Sequence, residues 1–92
     1  MIVSFKDRDT EHLFNTGKSR RFNNVLGVAR RKLQMLDDAA TLVSLMSPPG
    51  NMLEALSRDR RGQHSIRVNG QWRVCFRWTD SGPADVEICD YH

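Results

Sequence analysis

The chain has 92 residues, of which 39% are hydrophobic and 27% charged; this balance indicates one globular domain over residues 1–92 and excludes a disordered chain or a second core. No apolar run approaches the ~20 residues of a membrane-spanning helix, and the first residues lack the order of a signal peptide, so a cytoplasmic protein with no membrane segment is expected. The formal charge of +3 comes mostly from arginine, which indicates either a polyanionic partner or only solubility.

The first half of the chain predicts a short strand and two helices. The strand is expected at residues 2–5. In the run DRDTEHLFNTGK, Asp9 or Thr10 can cap the start of a helix and Gly17 can end it. A longer helix is expected from about residue 20 to residue 38, because apolar residues recur there at every third or fourth position and form a core-facing stripe. The stripe consists of Phe22, Val25, Leu26, Ala29, Leu33 and Leu36. The other side carries Arg20, Arg21, Arg30, Arg31 and Lys32, which form either a solvated face or an RNA contact.

The second half predicts strands. The run SPPGN ends the helical half, because proline lacks a backbone donor. Four runs rich in Val, Ile, Phe and Trp follow, separated by turn residues: NMLEALSR, GQHSIRVNG, QWRVCFRWT and ADVEICDYH. Asn69-Gly70 is the strongest hairpin signal, and Ser81-Gly82-Pro83 supplies the next turn. Short connections favour an antiparallel meander with both helices on one face. The predicted fold class is therefore α+β, in the order β-α-α-β-β-β-β.

Side chains alternate between the two faces of a strand, which predicts the content of the sheet face away from the helices. If Ile66, Val74 and Val86 face the helices, this outer face carries Arg67, Arg73, Arg77 and Tyr91, together with Ser65, Cys75, Glu87 and Cys89. The run SRDRRG adds Arg58, Arg60 and Arg61 at its rim. The outer face is expected to be open. It is either simply solvated or a single-stranded RNA site, in which arginine holds phosphate and an aromatic ring stacks on a base, with the imidazole of His92 alongside.

The two cysteines indicate no metal centre. Cys75 and Cys89 have neither the spacing nor the further ligands of a zinc site or a disulfide framework, so buried free thiols are expected. No metal and no other cofactor is predicted.

The phrase HSIRVNGQWRVCFRW, the layout of the elements and the ending DYH resemble the RelE superfamily of bacterial toxins, most closely its HigB branch of plasmid-maintenance killer proteins. The runs SPPGN and LEALS resemble the GraT-like members, which are comparatively mild. The resemblance extends from MIVSF to DYH and implies a microbial RNase-like fold. It also implies metal-free cleavage of messenger RNA in the ribosomal A site and neutralisation by a co-encoded, HigA-like helix-turn-helix antitoxin. Operator DNA would be bound only through the antitoxin complex.

The resemblance also implies roles for single residues. In metal-free cleavage the 2′-hydroxyl attacks the adjacent phosphorus, so a base, an acid and cations are needed. Arg73 matches the arginine of the family's aromatic-Arg pair and is expected to stabilise the phosphate, with Arg67 as a second clamp. Tyr91 is expected to stack on the base or hold the backbone, and His92 to act as acid or base because histidine titrates close to neutral pH. Asp90 is expected to orient its neighbours from the other face.

Two positions depart from the pattern of the branch. Better-known members carry a His and a Lys where this chain has Glu54 and Ser57. Glu54 can still act as a base, but a carboxylate beside phosphate is unfavourable unless arginines flank it, and the missing lysine removes positive charge from the clamp. His64 is expected on the helix-facing side, in a structural role.

Three classes of function remain. The first, a ribosome-dependent endoribonuclease toxin, is favoured by the arginine face and the terminal Tyr-His pair. The second, a non-catalytic inhibitor of growth that binds RNA or the ribosome, is favoured by Glu54 and Ser57. The third is a DNA-binding accessory protein, against which the lack of a helix-turn-helix pattern counts. We predict the first, and primer extension on a translated message separates it from the second.

Overall fold

A computed structural model describes residues 1–90 of the chain. Tyr91 and His92, on which two of the predicted site roles fall, lie outside the described residues. The described chain contains two helices, α1 (Arg8–Thr16) and α2 (Leu26–Asp38), followed by four strands, β1 (Glu54–Ala55), β2 (His64–Arg67), β3 (Arg73–Thr79) and β4 (Gly82–Cys89). Short 3₁₀ turns at Val43–Met46, Pro49–Asn51 and Arg58–Arg60 lie in the connections. The strands form one sheet in the order β1-β2-β3-β4, and every neighbouring pair is antiparallel. The predicted α+β class and antiparallel meander are confirmed.

Helix α1 is capped two to three residues earlier than the sequence suggested. Its N-cap is Asp7, whose carboxylate accepts the N–H of Thr10 at 3.0 Å. The predicted caps, Asp9 and Thr10, are wrong because Thr10 is needed elsewhere: its buried hydroxyl accepts the N–H of Ile88 at 3.0 Å and so ties α1 to β4. Gly17 ends the helix as predicted, at a φ of 76° that favours glycine.

Helix α2 begins at Leu26 and not near residue 20. The preceding residues form turns, in which the hydroxyl of Ser19 accepts the N–H of Phe22 at 3.1 Å. Phe22 and Val25 are nevertheless buried, and the ring of Phe22 packs edge-on against Trp72 with 5.2 Å between centroids. Apolar spacing therefore predicted which side chains are buried but not where the helix starts.

The predicted strand at residues 2–5 is wrong. This segment forms a single parallel bridge between Phe5 and Val86, and the N–H of Val3 donates to Pro83 O at 2.7 Å. It follows the edge of β4 without forming a continuous ladder of backbone hydrogen bonds. The ladder is interrupted at Asp85, whose φ is 52° and whose N–H donates to the Ser4 hydroxyl at 2.9 Å.

The hydrophobic core lies between the helices and one face of the sheet. The predicted helix-facing side chains of the strands are confirmed, since all of them are buried in one cluster with the stripe of α2: Ile66, Val68, Val74, Phe76, Val86 and Ile88. His64 lies on the same side, where its ring stacks on Phe76 with 6.3 Å between centroids. Neither described helix has the length and apolar character needed to cross a bilayer.

The hairpin between β2 and β3 forms where it was predicted, but Asn69 shapes it through its side chain. Arg67 pairs with Arg73, so residues 68–72 make the connection. The Oδ1 atom of Asn69 accepts the N–H groups of Gln71 at 2.8 Å and Trp72 at 2.7 Å. This Asx-type turn replaces the expected two-residue turn and directs Gln71 toward the cleft described below.

Candidate functional site

The outer face of the sheet is covered at its centre. Ser65 and Cys75 are 0% exposed and Cys89 is 8% exposed. The covering element is the connection between β1 and β2, because its Arg60 reaches Glu87 on β4 and must therefore cross β2 and β3. The expectation of an open outer face is therefore wrong for the centre of the sheet. The outer face is left accessible mainly at its two ends.

Arg60 is engaged inside this covering connection. Its Nη1 atom donates to Oε1 of Glu87 at 2.8 Å and to Oε1 of Gln63 at 3.2 Å. Burial acts to lower the pKa of Arg60, but the hydrogen bond to Glu87 and the neighbouring thiols outweigh it, so the pKa is raised and the group stays charged. An RNA-binding role for Arg60 stays a prediction, and its observed contacts hold the connection onto the sheet.

We expect Arg60→Met to destabilise the fold by about 1–3 kcal/mol, because it removes the hydrogen-bonded partner of the mostly buried carboxylate of Glu87 and leaves only the exposed ammonium of Lys6 at 3.7 Å. The matched variant is Arg61→Met, which removes a neighbouring exposed arginine and should shift stability by no more than about 0.5 kcal/mol. Thermal unfolding of both variants measures the difference. Equal melting temperatures would show that the pair with Glu87 does not hold the connection.

The two cysteines lie beneath this connection as free, buried thiols, as predicted. They hydrogen-bond to each other: this bond, together with burial, raises the pKa of Cys75, and the same bond lowers the pKa of Cys89. With Ser65, Cys75 and Cys89 all buried, the centre of the outer face is a packed layer.

A cleft of about 310 Å³ opens at the end of the outer face beside the β2–β3 hairpin. Arg67 and Arg73 are direct cross-strand partners in its wall. The lining residues are Met52, Glu54, Arg67, Asn69, Gly70, Gln71 and Arg73. Two of the predicted phosphate ligands are thus brought together in one concave site.

Arg73 is held firmly in this cleft. Its side chain is 15% exposed, its Nε atom donates to the hydroxyl of Ser65 at 2.7 Å, and its Nη2 atom donates to the carbonyl of Met52. The nearer oxygen of Glu54 lies 3.7 Å from Nε. The guanidinium is thus fixed through its Nε and Nη2 groups, and Nη1 donates no hydrogen bond within residues 1–90.

Arg67 and Lys32 add positive charge to the same place. Among the described residues no carboxylate lies within ion-pair distance of Arg67. The ammonium of Lys32 donates to Asn51, the residue before Met52 of the lining, and so lies close to the cleft and not only on a solvated helix face. Burial, together with the charges of Arg31 and Arg67, lowers the pKa of Lys32. Among the described residues that line the cleft, two are cations, Arg67 and Arg73, and one is a carboxylate, Glu54, with Lys32 close by. This balance suits a phosphodiester.

Glu54 lies between two clefts. It lines the one with Arg73 and also a neighbouring cleft of about 460 Å³ formed by residues 54–60, where Ser57 is exposed. Because Arg73 flanks Glu54, the structure provides the condition under which a carboxylate is tolerated beside phosphate.

The other predicted site residues are more dispersed. Arg77 is exposed beside Asp85, at 3.7 Å, and lies four positions along β3 from Arg73, about 13 Å away. Arg58 and Arg61 are exposed on the covering connection. Asp90 accepts a hydrogen bond from Nε2 of Gln71 at 3.3 Å. This contact places the residue before Tyr91 and His92 next to the lining of the cleft.

Sequence reasoning missed several residues of the cleft. Met52 is 59% exposed at its mouth, with a left-handed φ of 46°, and Gln71 and Ser65 contact predicted site residues directly. The available signal was the SPPGN break immediately before Met52, which indicates a turn but not the atoms that the turn presents.

Comparison with known proteins gives concordant matches. Residues 3–92 match the family model of HigB-like toxins, described as RelE-like toxins of the type II toxin-antitoxin system HigB. Toxin HigB-1 of Vibrio cholerae serotype O1 is 38% identical over 82 residues, which cover 87% of this chain and 86% of the relative. Endoribonuclease HigB of Proteus vulgaris is 26% identical over 98 aligned positions that span 100% of both chains.

Proposed function

The chain belongs to the HigB-like family of RelE-like toxins from type II toxin-antitoxin systems, and on that premise we propose that it is an endoribonuclease that cuts messenger RNA in the ribosomal A site without a metal ion. Cleavage of the message stops translation and growth. The observation that carries the proposal is the pairing of Arg67 and Arg73 in one cleft beside Glu54. The Proteus relative carries the name of an endoribonuclease, which agrees with this chemistry.

Arg73 and Arg67 supply the phosphate clamp. When the 2′-hydroxyl attacks the adjacent phosphorus, negative charge grows on the non-bridging oxygens and the 5′-oxygen leaves, giving a cyclic phosphate and a free 5′-hydroxyl. The guanidinium of Arg73 would meet this charge without first having to reorganise, because Ser65 and the Met52 carbonyl already hold its Nε and Nη2 groups. Preorganised donors of this kind are often the largest single contribution to a rate.

We assign the proton transfers to His92 and an orienting role to Glu54. The carboxylate of Glu54 lies 3.7 Å from Nε of Arg73 and helps to fix the guanidinium, whereas an imidazole exchanges protons near neutral pH. Tyr91 would stack on a base or hold the backbone, and Asp90, through Gln71, would anchor the segment that carries both residues.

We expect His92→Gln to lower the rate of message cleavage by about 10²-fold or more, the usual contribution of one acid-base group, and Glu54→Gln to lower it by less than about tenfold. The control is His12→Gln, which changes an exposed histidine on α1. Primer extension on a reporter message in a translation extract measures all three variants. If Glu54→Gln is the inactive variant and His92→Gln retains its rate, the two roles are exchanged.

The partner that the family implies is an antitoxin. We propose that it is a co-encoded helix-turn-helix protein, that operator DNA is bound only through its complex with the toxin, and that both act in the cytoplasm. The ribosome and messenger RNA are the proposed targets.

A second candidate function is non-catalytic inhibition of the ribosome, which Glu54 and Ser57 favour because both replace basic groups of better-known relatives. Primer extension decides between the two: new 5′ ends within codons of a translated message support cleavage. Stalled ribosomes on intact message would support inhibition without chemistry.

A further inference from the structure

Asn51 is a polar side chain buried completely in the turn Pro49–Asn51, and the chemistry proposed above gives it no role. Its Nδ2 atom donates to the sulfur of Met35 at 3.0 Å and to the carbonyls of Leu45 at 3.1 Å and Ser47 at 3.4 Å. Its Oδ1 atom accepts from Nζ of Lys32 at 2.5 Å. Both ends of the amide are therefore satisfied, and helix α2 contributes two of the four partners.

These partners determine the orientation of the amide. The ammonium of Lys32 can only donate, so it requires the oxygen of Asn51, and the two carbonyls can only accept, so they require its nitrogen. A flipped amide would leave buried polar groups without partners, which is costly. Asn51 is thus locked onto α2 in one orientation.

The next residue, Met52, is what this lock positions. Met52 has φ 46° and ψ 53°, a left-handed conformation that residues other than glycine rarely adopt. Its side chain is 59% exposed and cannot anchor the backbone. Its carbonyl accepts the Nη2–H of Arg73. The N–H of Met52 donates to Pro49 O at 3.1 Å, within the turn that Asn51 anchors. The conformation that directs this carbonyl toward Arg73 is therefore held by that turn, and the turn is held by Asn51.

We propose that Asn51 is a positioning residue for Arg73: anchored to α2 through Lys32 and Met35, it holds the Met52 carbonyl that fixes the guanidinium in the cleft. The proposal rests on the proposed function, in which Arg73 stabilises the transferred phosphate. It connects a helix behind the cleft to the reacting group through one backbone carbonyl.

Loss of positioning should affect the rate of the chemical step more than binding. The charge of Arg73 remains in the Asn51 variants, so attraction of the phosphate persists and KM should change little. A displaced guanidinium no longer matches the transition state, and a misplacement of about 1 Å is enough to lower a rate about 10²-fold.

The test combines two readouts on Asn51→Ala, Lys32→Met and Lys32→Arg. The first is the ¹⁵N-detected Nε–H signal of Arg73, whose hydrogen exchange reports how firmly the guanidinium is held. The second is kcat and KM for cleavage of a reporter message during translation. The controls, Asn24→Ala and Lys18→Met, remove an exposed amide and an exposed ammonium on the helical side of the molecule.

For Asn51→Ala we expect about tenfold faster Nε–H exchange and a kcat reduced about 10- to 100-fold, with KM within about threefold of the parent. Lys32→Met should show the same faster exchange and lower kcat, with a higher KM as well, because it also removes a positive charge near Arg67. Lys32→Arg keeps a donor for Oδ1 and should retain most of the parental kcat. If Asn51→Ala fails to fold, Lys32→Met decides by the same two readouts. Folded variants with parental exchange and parental kcat would overturn the proposal, as would a loss confined to KM.

The two proposals fail in different ways. If the parent protein produces no cleavage during translation, the proposed function fails, while the Nε–H signal of Arg73 still decides whether Asn51 positions it. If the parent cleaves and the Arg73 signal is unchanged in both variants, only the positioning role is lost.

Discussion

Replacing Arg73 with alanine should abolish growth inhibition and lower the rate of message cleavage by about 10²- to 10³-fold, the range found when one preorganised donor is removed. The guanidinium lines the cleft and is held through Nε by Ser65 and through Nη2 by the Met52 carbonyl. No other described side chain in the cleft has this combination of charge and fixed orientation.

The same substitution also has a structural cost. From the sequence, Arg73 was expected to be a solvent-facing strand residue whose replacement costs little stability. Its side chain is only 15% exposed and links β3 to the buried Ser65 hydroxyl and to the turn before β1. We therefore expect a loss of about 1–2 kcal/mol, which leaves a folded protein whose melting curve must be measured beside its activity.

Arg73→Lys separates charge from geometry. Lysine keeps the positive charge but not the planar fork, so it should restore binding of the message more than the rate. The control is Arg21→Ala, which removes an exposed arginine 3.6 Å from Asp9 on the helical side. A folded Arg73→Ala protein that remains fully toxic would remove Arg73 from the site.

The two faces of the sheet differ in how far they could be predicted. The helix-facing side was predictable residue by residue, because Ile66, Val74 and Val86 alternate with polar neighbours and alternation follows from strand geometry alone. Even Phe22, which lies in a turn and not in α2, was correctly expected to be buried. Whether a side chain is buried depends mainly on how much apolar surface it carries and little on the exact conformation of its backbone.

The outer face depends on where a connection folds, and local sequence does not contain that information. Arg60 has the same composition around it as Arg58 and Arg61, yet within residues 1–90 it is the one of the three that meets a carboxylate on a distant strand. The contact between Arg73 and the Met52 carbonyl likewise requires a backbone conformation that is set by Asn51 and α2. Sequence patterning therefore predicted that Arg67 and Arg73 share a face, but not which arginines remain available on it.

Purified protein should leave naked RNA almost intact and should cut the same message while it is translated. The cleft beside Arg73 holds about 310 Å³, and none of the described residues that line it is a histidine. It supplies a phosphate clamp, but it does not by itself align a 2′-hydroxyl with the adjacent phosphorus. Correct alignment of reacting groups contributes about 7–11 kcal/mol to catalysis in favourable cases. We propose that the decoding site of the ribosome supplies this alignment by holding the codon in one conformation.

The experiment compares one reporter message in two settings, free in a buffer with a chelator and engaged by translating ribosomes, with primer extension as the readout. We expect the translated message to be cleaved several orders of magnitude faster than the free message. This difference corresponds to the free energy that correct alignment of the reacting groups contributes. Arg73→Ala, assayed in both settings, shows which cuts belong to the protein and which to a contaminating nuclease. Rapid cleavage of the free message that persists in the chelator and disappears in Arg73→Ala would contradict ribosome dependence. The alignment would then have to come from the chain itself, through Glu54 and the segment that follows Asp90.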